Sequence, residues 1–264
     1  MIKLIASDMD GTLLDSNKNI NPEFNQILAD LKYKNIIFAA VSGRDIVSLK
    51  NVFKDIDEDI ILASNNGNLI VYKDEVLFEN YIEKEKIAKI AQIVRKNSRR
   101  FTMYCGKDTM YSESIIPAII GIKYKLKIKV VKDITKIDDK IIKVTTFGKE
   151  KVINKSLEAF KGLKDELMIT PSGKACFDIC RLGGDKKQAI EILQEKFDIK
   201  YDETMVFGDH MNDLEMMESA FYSYAMENAK EEVKNKARFI AKINDENGVI
   251  EAIKEVALKK EATI

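Results

Sequence analysis

Asp8 and Asp10 stand two residues apart at the end of the apolar run KLIAS (3–7), with Gly11 and Thr12 directly behind. Three readings fit paired acids at such a place. Asp10-Gly11 is a hairpin-turn signal. A D-x-D start also opens calcium loops, but the sixth position here is Leu13 rather than glycine and the twelfth is Asn19 rather than glutamate. The third reading is a ligand site, because open α/β sheets bind ligands beyond the carboxyl ends of their strands.

Other segments repeat the arrangement. The run NIIFAAV (35–41) is followed by Ser42-Gly43-Arg44, and TMVFG (204–208) by Asp209-His210-Met211-Asn212-Asp213. A helical pattern over 185–197 opens with Asp185-Lys186-Lys187. Each delivers polar groups to the same predicted edge. Together they hold acids for a cation, and a hydroxyl, an amide, a lysine and exposed backbone for a phosphate.

The elements behind these residues predict a parallel sheet. KLIAS (3–7), NIIFAAV (35–41), DIILAS (59–64), TMVFG (204–208) and ARFIA (237–241) are short unalternating apolar runs, as expected of strands covered on both faces. Helical patterns lie between most of them. Residues 22–34 begin at Pro22 after Asn21 and repeat apolar residues at Phe24, Ile27, Leu28 and Leu31. Residues 185–197 do so at Ala189, Ile190, Leu193 and Phe197. This is a doubly wound α/β pattern. From 82 to 184 the texture changes to helices at 84–96 and 151–164 and amphipathic strands such as KIIKVTTFG (140–148) and ACFDICRL (175–182). KYKLKIKV (123–130) reads as a lysine-protected edge strand, and the preceding PAIIGI fits helix or strand. An α+β domain at 82–184 is therefore expected inside an α/β core made of 1–81 and 185–264, with ENYIEK (79–84) as the way out and Gly183-Gly184 as the return hinge.

Composition narrows the function classes. The chain has 264 residues, 45% hydrophobic, enough for a sizeable core. Cys105, Cys176 and Cys180 are an odd number, which argues against a disulfide framework, and with the single His210 they are too few for a structural zinc site. No run approaches the roughly 20 apolar residues of a membrane span, and the N-terminal run is broken by Asp8, so no signal peptide or membrane partner is expected. The sequence reads as a soluble cytoplasmic protein and sets no oligomeric state. The net charge of zero hides a division: 82–184 carries 23 basic and 12 acidic residues, a net of +11, against −11 elsewhere. A lysine-rich solvated face accounts for this; so does a domain that draws anionic substrates. No aromatic residues interleave with the basic ones as in RNA-binding motifs, so no nucleic acid partner is expected.

Taken together, DMDGT (8–12), VSGR (41–44), GGDKKQA (183–189) and GDHMND (208–213) resemble the four motifs of the haloacid dehalogenase-like (HAD) phosphohydrolases. The large insertion, with SNNG (64–67) before it, resembles the Cof-like branch with an α+β cap. The resemblance implies a HAD-like, Rossmann-like core with an inserted cap, and Mg²⁺ as cofactor. It implies Asp8 as nucleophile and metal ligand, and Asp10 as general acid and base and as ligand through its carbonyl. Asp209 and Asp213 are the further metal-site residues, Asp213 alternatively orienting Lys186. Met9, Thr12, Ser42, Gly43, Arg44, Lys186 and Asn212 form the implied phosphate-binding set, with Thr12 holding the Asp10 side chain and Arg44 possessing a structural alternative. Lys187 occupies a position where relatives carry glycine, and the register of the following Gln-Ala-Ile favours Lys186 as the phosphate lysine. Ser42 taken alone reads first as a cap for a helix starting at Arg44, and only within the motif as a phosphate ligand.

The resemblance implies hydrolysis of a small phosphorylated metabolite, of the sugar phosphate, flavin mononucleotide or pyridoxal phosphate type, through an aspartyl-phosphate on Asp8. A phosphomutase or phosphotransferase on the same fold, and a silent sensor of phosphorylated metabolites, are the alternatives. Tyr104, Lys107, Tyr111 and Lys174 are the candidate leaving-group contacts in the insertion, chosen on polarity.

Overall fold

The computed structural model describes residues 1–259 apart from 57–58, 98–100, 108, 124–125 and 172–174; Lys174 and part of the 123–130 run therefore lie outside the described residues. The chain forms two compact units, Met1–Phe78 with Asp185–Ile264, and Glu79–Gly184.

The first unit is built on an eight-stranded sheet. Its strands are β1 (Leu4–Ser7), β2 (Ile37–Val41), β3 (Ile60–Ser64), β4 (Leu69–Tyr72) and β5 (Glu75–Glu79), and later in the chain β12 (Thr204–Gly208), β13 (Tyr222–Met226) and β14 (Phe239–Ala241). The spatial order is β14-β13-β12-β1-β2-β3-β4-β5, and β14 through β3 run parallel. All four residues of β1 are buried, and the register sets Ile5 beside Met205 on one flank and Phe38 on the other. Such strands lack polar alternation because both faces are covered.

Connections are helical. Helix α1 (Phe24–Tyr33) buries Phe24, Ile27, Leu28 and Leu31, the four residues of its predicted apolar stripe, and Phe24 packs edge-on against Phe38. Helix α2 (Ile46–Val52) links β2 to β3, and α6 (Lys186–Phe197) leads into β12. Three strands of this sheet, β4, β5 and β13, lie outside the predicted apolar runs. β13 reads YSYAM, with polar residues among the apolar ones, and β4 turns back antiparallel to β3.

The chain leaves β1 toward β2 and β3, then returns on the other side through β12 to β14. Strand order thus reverses between β1 and β12. Such a reversal opens a crevice at the carboxyl ends of the two strands, where ligands bind in this architecture.

The second unit holds a six-stranded sheet in the order β10-β11-β9-β6-β7-β8, comprising β6 (Thr102–Cys105), β7 (Met110–Ser112), β8 (Ile128–Val130), β9 (Lys143–Phe147), β10 (Leu167–Pro171) and β11 (Cys176–Arg181). Helices α3 (Lys84–Asn97) and α5 (Glu150–Ala159) join its core: Ile87, Ile90, Val94 and Ile153 pack with Tyr104, Val144, Phe177 and Ile179. PAIIGI belongs to helix α4 (Ile115–Lys123), and among the described residues the 123–130 run contributes strand β8 at its end, on the sheet edge. Tyr104 is fully buried in that core, which corrects its choice as a leaving-group contact: its strand turns it toward the helices. The Tyr111 hydroxyl donates to Asp139 at 2.8 Å, and Lys107 is exposed.

Candidate active site

Four parallel strands end at one edge, and each hands the chain to a polar loop. Asp8 follows β1, Ser42 follows β2, Asn65 follows β3 and Asp209 follows β12. Pairing continues one step past the strands, since the Asp8 N–H donates to the Phe207 carbonyl at 2.9 Å and the Ser42 N–H to the Ala63 carbonyl at 2.8 Å. The pairing of the sheet therefore extends to Asp8 and Ser42, the first residues of their loops.

At the centre lies Lys186, with no exposed surface. Its ammonium donates to Asp8 Oδ1 at 2.5 Å and to Asp213 Oδ1 at 2.6 Å. Asp185 caps helix α6, accepting from the Gln188 N–H at 2.8 Å, and so places Lys186 at the first helical position. Burial pulls the Lys186 ammonium down, but Asp213 and Asp8 outweigh burial and push it above its usual range. Lys187 lies on a different side, 3.3 Å from Glu218 on the surface. The lysine at the usual glycine position thus leaves the helix start undistorted.

Asp8, Asp209 and Asp213 each offer a ligand oxygen, and these oxygens lie within 4.8 Å of one another. Asp213 is heavily engaged: Oδ1 accepts from Lys186, and Oδ2 accepts from the Asp209 and His210 backbone N–H groups at 2.9 Å each. Asp8 and Asp209 are consequently better placed to ligate. Burial pushes Asp8 up to about 8 against the pull of Lys186, with Asp213 and Asp209 adding to the rise. Burial and then Asp213 raise Asp209 as well, while the Thr12 hydroxyl opposes them. Three carboxylates beside one ammonium form a site short of positive charge. A small divalent cation with oxygen ligands fits this donor set.

Gly11 makes the close approach possible. Its φ is +88°, in the left-handed region, and a β-carbon there would stand 2.6 Å from Asp209 Oδ2. Thr12 donates to Asp209 Oδ1 at 3.0 Å, not to Asp10, because the turn at Gly11 directs it toward β12. Met9 buries its side chain completely, and its carbonyl holds the turn by accepting from Leu14 at 2.9 Å.

Asp10 faces a different partner. Arg44 donates from Nε to Asp10 Oδ2 and from Nη2 to Oδ1, each at 2.7 Å, and Lys18 adds an ion pair at 2.9 Å. Burial would lift Asp10, but Arg44 and Lys18 outweigh it and hold the carboxyl at about 2. The motif spacing contains no sign of Lys18, itself a left-handed loop residue with φ of 67°. Ser42 does not cap a helix at Arg44. Helix α2 starts two residues later, at Ile46, and is capped by Asp45, while Ser42 Oγ accepts from the Arg44 N–H at 3.2 Å. Asn212 donates to Asn66 Oδ1 at 3.2 Å. Asn66 was missed as a site residue, although two asparagines and a glycine after a buried strand signal a left-handed turn.

The chain matches the haloacid dehalogenase-like hydrolase family over residues 5–253. It is 28% identical over 267 residues to the 5-amino-6-(5-phospho-D-ribitylamino)uracil phosphatase YbjI of Escherichia coli (strain K12), a match covering 99% of this chain and 98% of that protein. It is 28% identical over 276 residues to YwtE of Bacillus subtilis (strain 168), named for the same activity, covering 94% and 96%. The crystal structure of SMU.1108c from Streptococcus mutans UA159 superposes with a TM-score of 0.87 at 30% identity, covering 98% of this chain and 100% of that one. With four polar loops converging on a buried lysine–aspartate centre and a family match over nearly its whole length, the chain belongs to the haloacid dehalogenase-like hydrolases and is an enzyme of their phosphatase branch.

Proposed function

We propose that this enzyme hydrolyses small phosphorylated metabolites through a phosphoryl group carried transiently on Asp8. The observation that carries the reading is the buried Lys186 ammonium bound to both Asp8 and Asp213, with Asp209 alongside. Lys186 orients Asp8 through Oδ1 and leaves Oδ2 as the attacking atom. Attack forms the bond from Asp8 to phosphorus and breaks the bond to the leaving oxygen, which takes a proton from Asp10. Water then attacks the aspartyl-phosphate, Asp10 accepts its proton, and inorganic phosphate leaves with Asp8 regenerated. Ser42, Gly43 and Asn212 would donate to the phosphoryl oxygens. Asp8, Asp209 and the Asp10 carbonyl would hold Mg²⁺, which when bound offsets repulsion between carboxylate and phosphoryl group. In the described conformation Arg44 keeps Asp10 ionised, the form that accepts a proton; donation to a leaving group requires Asp10 to leave that pair.

The unit Glu79–Gly184 is the proposed determinant of substrate choice. The ester named for YbjI and YwtE is the first candidate to assay, followed by sugar phosphates, flavin mononucleotide and pyridoxal phosphate. The deciding measurement is phosphate release from such a panel with Mg²⁺, and with Asp8→Asn beside the wild type. Magnesium-dependent release abolished by Asp8→Asn is expected. Full release by Asp8→Asn would overturn the mechanism, and phosphoryl transfer between two sugar positions without free phosphate would point to a mutase.

A further inference from the structure

The SNNG segment (64–67) belongs to none of the steps above, yet as the loop after β3 it touches the loops after β2 and β12 and the first turn of α6. We infer that Asn66 is a positioning residue for phosphate, setting the Ser42-Gly43 loop and Asn212 to a common spacing. The inference deepens the phosphatase reading and rests on it.

Asn65, Asn66 and Gly67 are three consecutive left-handed residues, with φ of 52°, 59° and 90°. Outside glycine such a conformation costs about 1–2 kcal/mol per residue, least for asparagine. A buried run of three is kept for what it holds. First, it reaches the loop after β2: the Asn65 N–H donates to the Arg44 carbonyl and the Asn66 N–H to the Ser42 carbonyl, each at 2.8 Å. Both carbonyls are thereby held by backbone N–H groups of this segment. Second, it reaches the loop after β12, since the Asn66 side chain accepts from Asn212 Nδ2 at 3.2 Å. The same Oδ1 would lie 3.1 Å from a β-carbon at Gly43. Asn66 therefore fills the space between Gly43 and Asn212, the two loops assigned to the phosphoryl oxygens. Third, a β-carbon at Gly67 would stand 2.8 Å from the Asp185 carbonyl and 2.7 Å from Ala189 Cβ, so the segment seats directly on the first turn of α6, which carries Lys186.

Asn66→Gly isolates the side chain, because glycine accepts the left-handed backbone without strain. The readout is the dissociation constant of inorganic phosphate for the Mg²⁺-loaded protein by calorimetry, read beside kcat and KM for p-nitrophenyl phosphate. Asn66→Gly is expected to weaken phosphate about tenfold and to raise KM more than it lowers kcat, by loss of one hydrogen bond and its register. Combined with Asn212→Ala, it should cost less than the sum of the two single changes, since the contact between Asn66 and Asn212 is lost in either. Additive losses, or wild-type phosphate affinity in Asn66→Gly, would overturn the inference. Asn66→Asp keeps the backbone and the acceptor but sets a charge beside the anion, so it should weaken phosphate further; wild-type affinity there would also overturn it. Should the wild type bind phosphate without turning over any ester, the phosphatase reading fails while the binding comparison still decides the role of Asn66.

Discussion

Arg44 grips the Asp10 carboxylate through two parallel hydrogen bonds of 2.7 Å. A planar guanidinium facing a carboxylate in this way fixes the side chain in direction as well as charge. Asp10 is proposed to serve twice, as acid to the leaving group and as base to water, and only the second role suits the ionised form that Arg44 enforces. Leaving groups that need a proton should therefore depend on Asp10 more than those that do not. Asp10→Asn is expected to slow sugar phosphates by about 10²–10⁴-fold. It should slow p-nitrophenyl phosphate less, because nitrophenolate departs unprotonated. Steady-state rates on both esters check this, and equal losses would remove the acid role.

The same pair sets an acid limit on stability. Asp10 is held at about 2, below its value in an unfolded chain, so the pair's contribution is complete above the unfolded range and is lost as pH falls through about 2. Asp10 is part-exposed, which discounts the contribution to about 1 kcal/mol at pH 7. Arg44→Met should lower stability by about that amount at pH 7 and by about half of it at pH 3. Urea unfolding at the two pH values measures the difference. A gap that widens on acidification would contradict the assignment.

Lys186 and Lys187 are neighbours with opposite expectations. Lys186→Met removes the buried ammonium and leaves Asp8 and Asp213 with no counter-charge between them. That should cost about 3–5 kcal/mol of stability at pH 7 and reduce turnover to background. Lys187→Ala breaks a surface ion pair with Glu218 and should change stability by less than about 0.5 kcal/mol, with full activity. Thermal midpoints and phosphate release from the two variants settle which lysine serves the site.

Much of this was legible in the sequence because burial writes itself as composition. β1, β2, β3 and β12 are covered on both faces and appear as unbroken apolar runs, so their ends, and the loops with Asp8, Ser42 and Asp209, could be placed from spacing. β13 could not, because its tyrosines and serine look like an exposed segment until they stack in the fold, where Tyr224 lies over Phe207 with centroids 5.1 Å apart. Side-chain partners were less legible still. Thr12 has Asp10 two residues away and Asp209 nearly two hundred away, yet it donates to Asp209, since the backbone turn at Gly11 and the β1–β12 pairing decide its direction. Lys18 reaches Asp10 by the same kind of tertiary accident of loop path, which no residue type announces.

Gly11 gives the sharpest test of the metal-site geometry. Its left-handed backbone strains any other residue, and a methyl group there would collide with Asp209 at 2.6 Å. Asp209 would have to turn, and its hydrogen bond from Thr12 would go with it. Gly11→Ala should therefore weaken Mg²⁺ binding at least about tenfold, since a displaced carboxylate ligand costs more than a single hydrogen bond. The backbone strain should separately lower stability by about 1–2 kcal/mol. Calorimetric titration with Mg²⁺ separates the two effects, because strain alone lowers the unfolding midpoint and leaves metal affinity intact. Unchanged Mg²⁺ affinity in a destabilised Gly11→Ala would mean that Asp209 is not a ligand and that the acidic centre is organised around Lys186 alone.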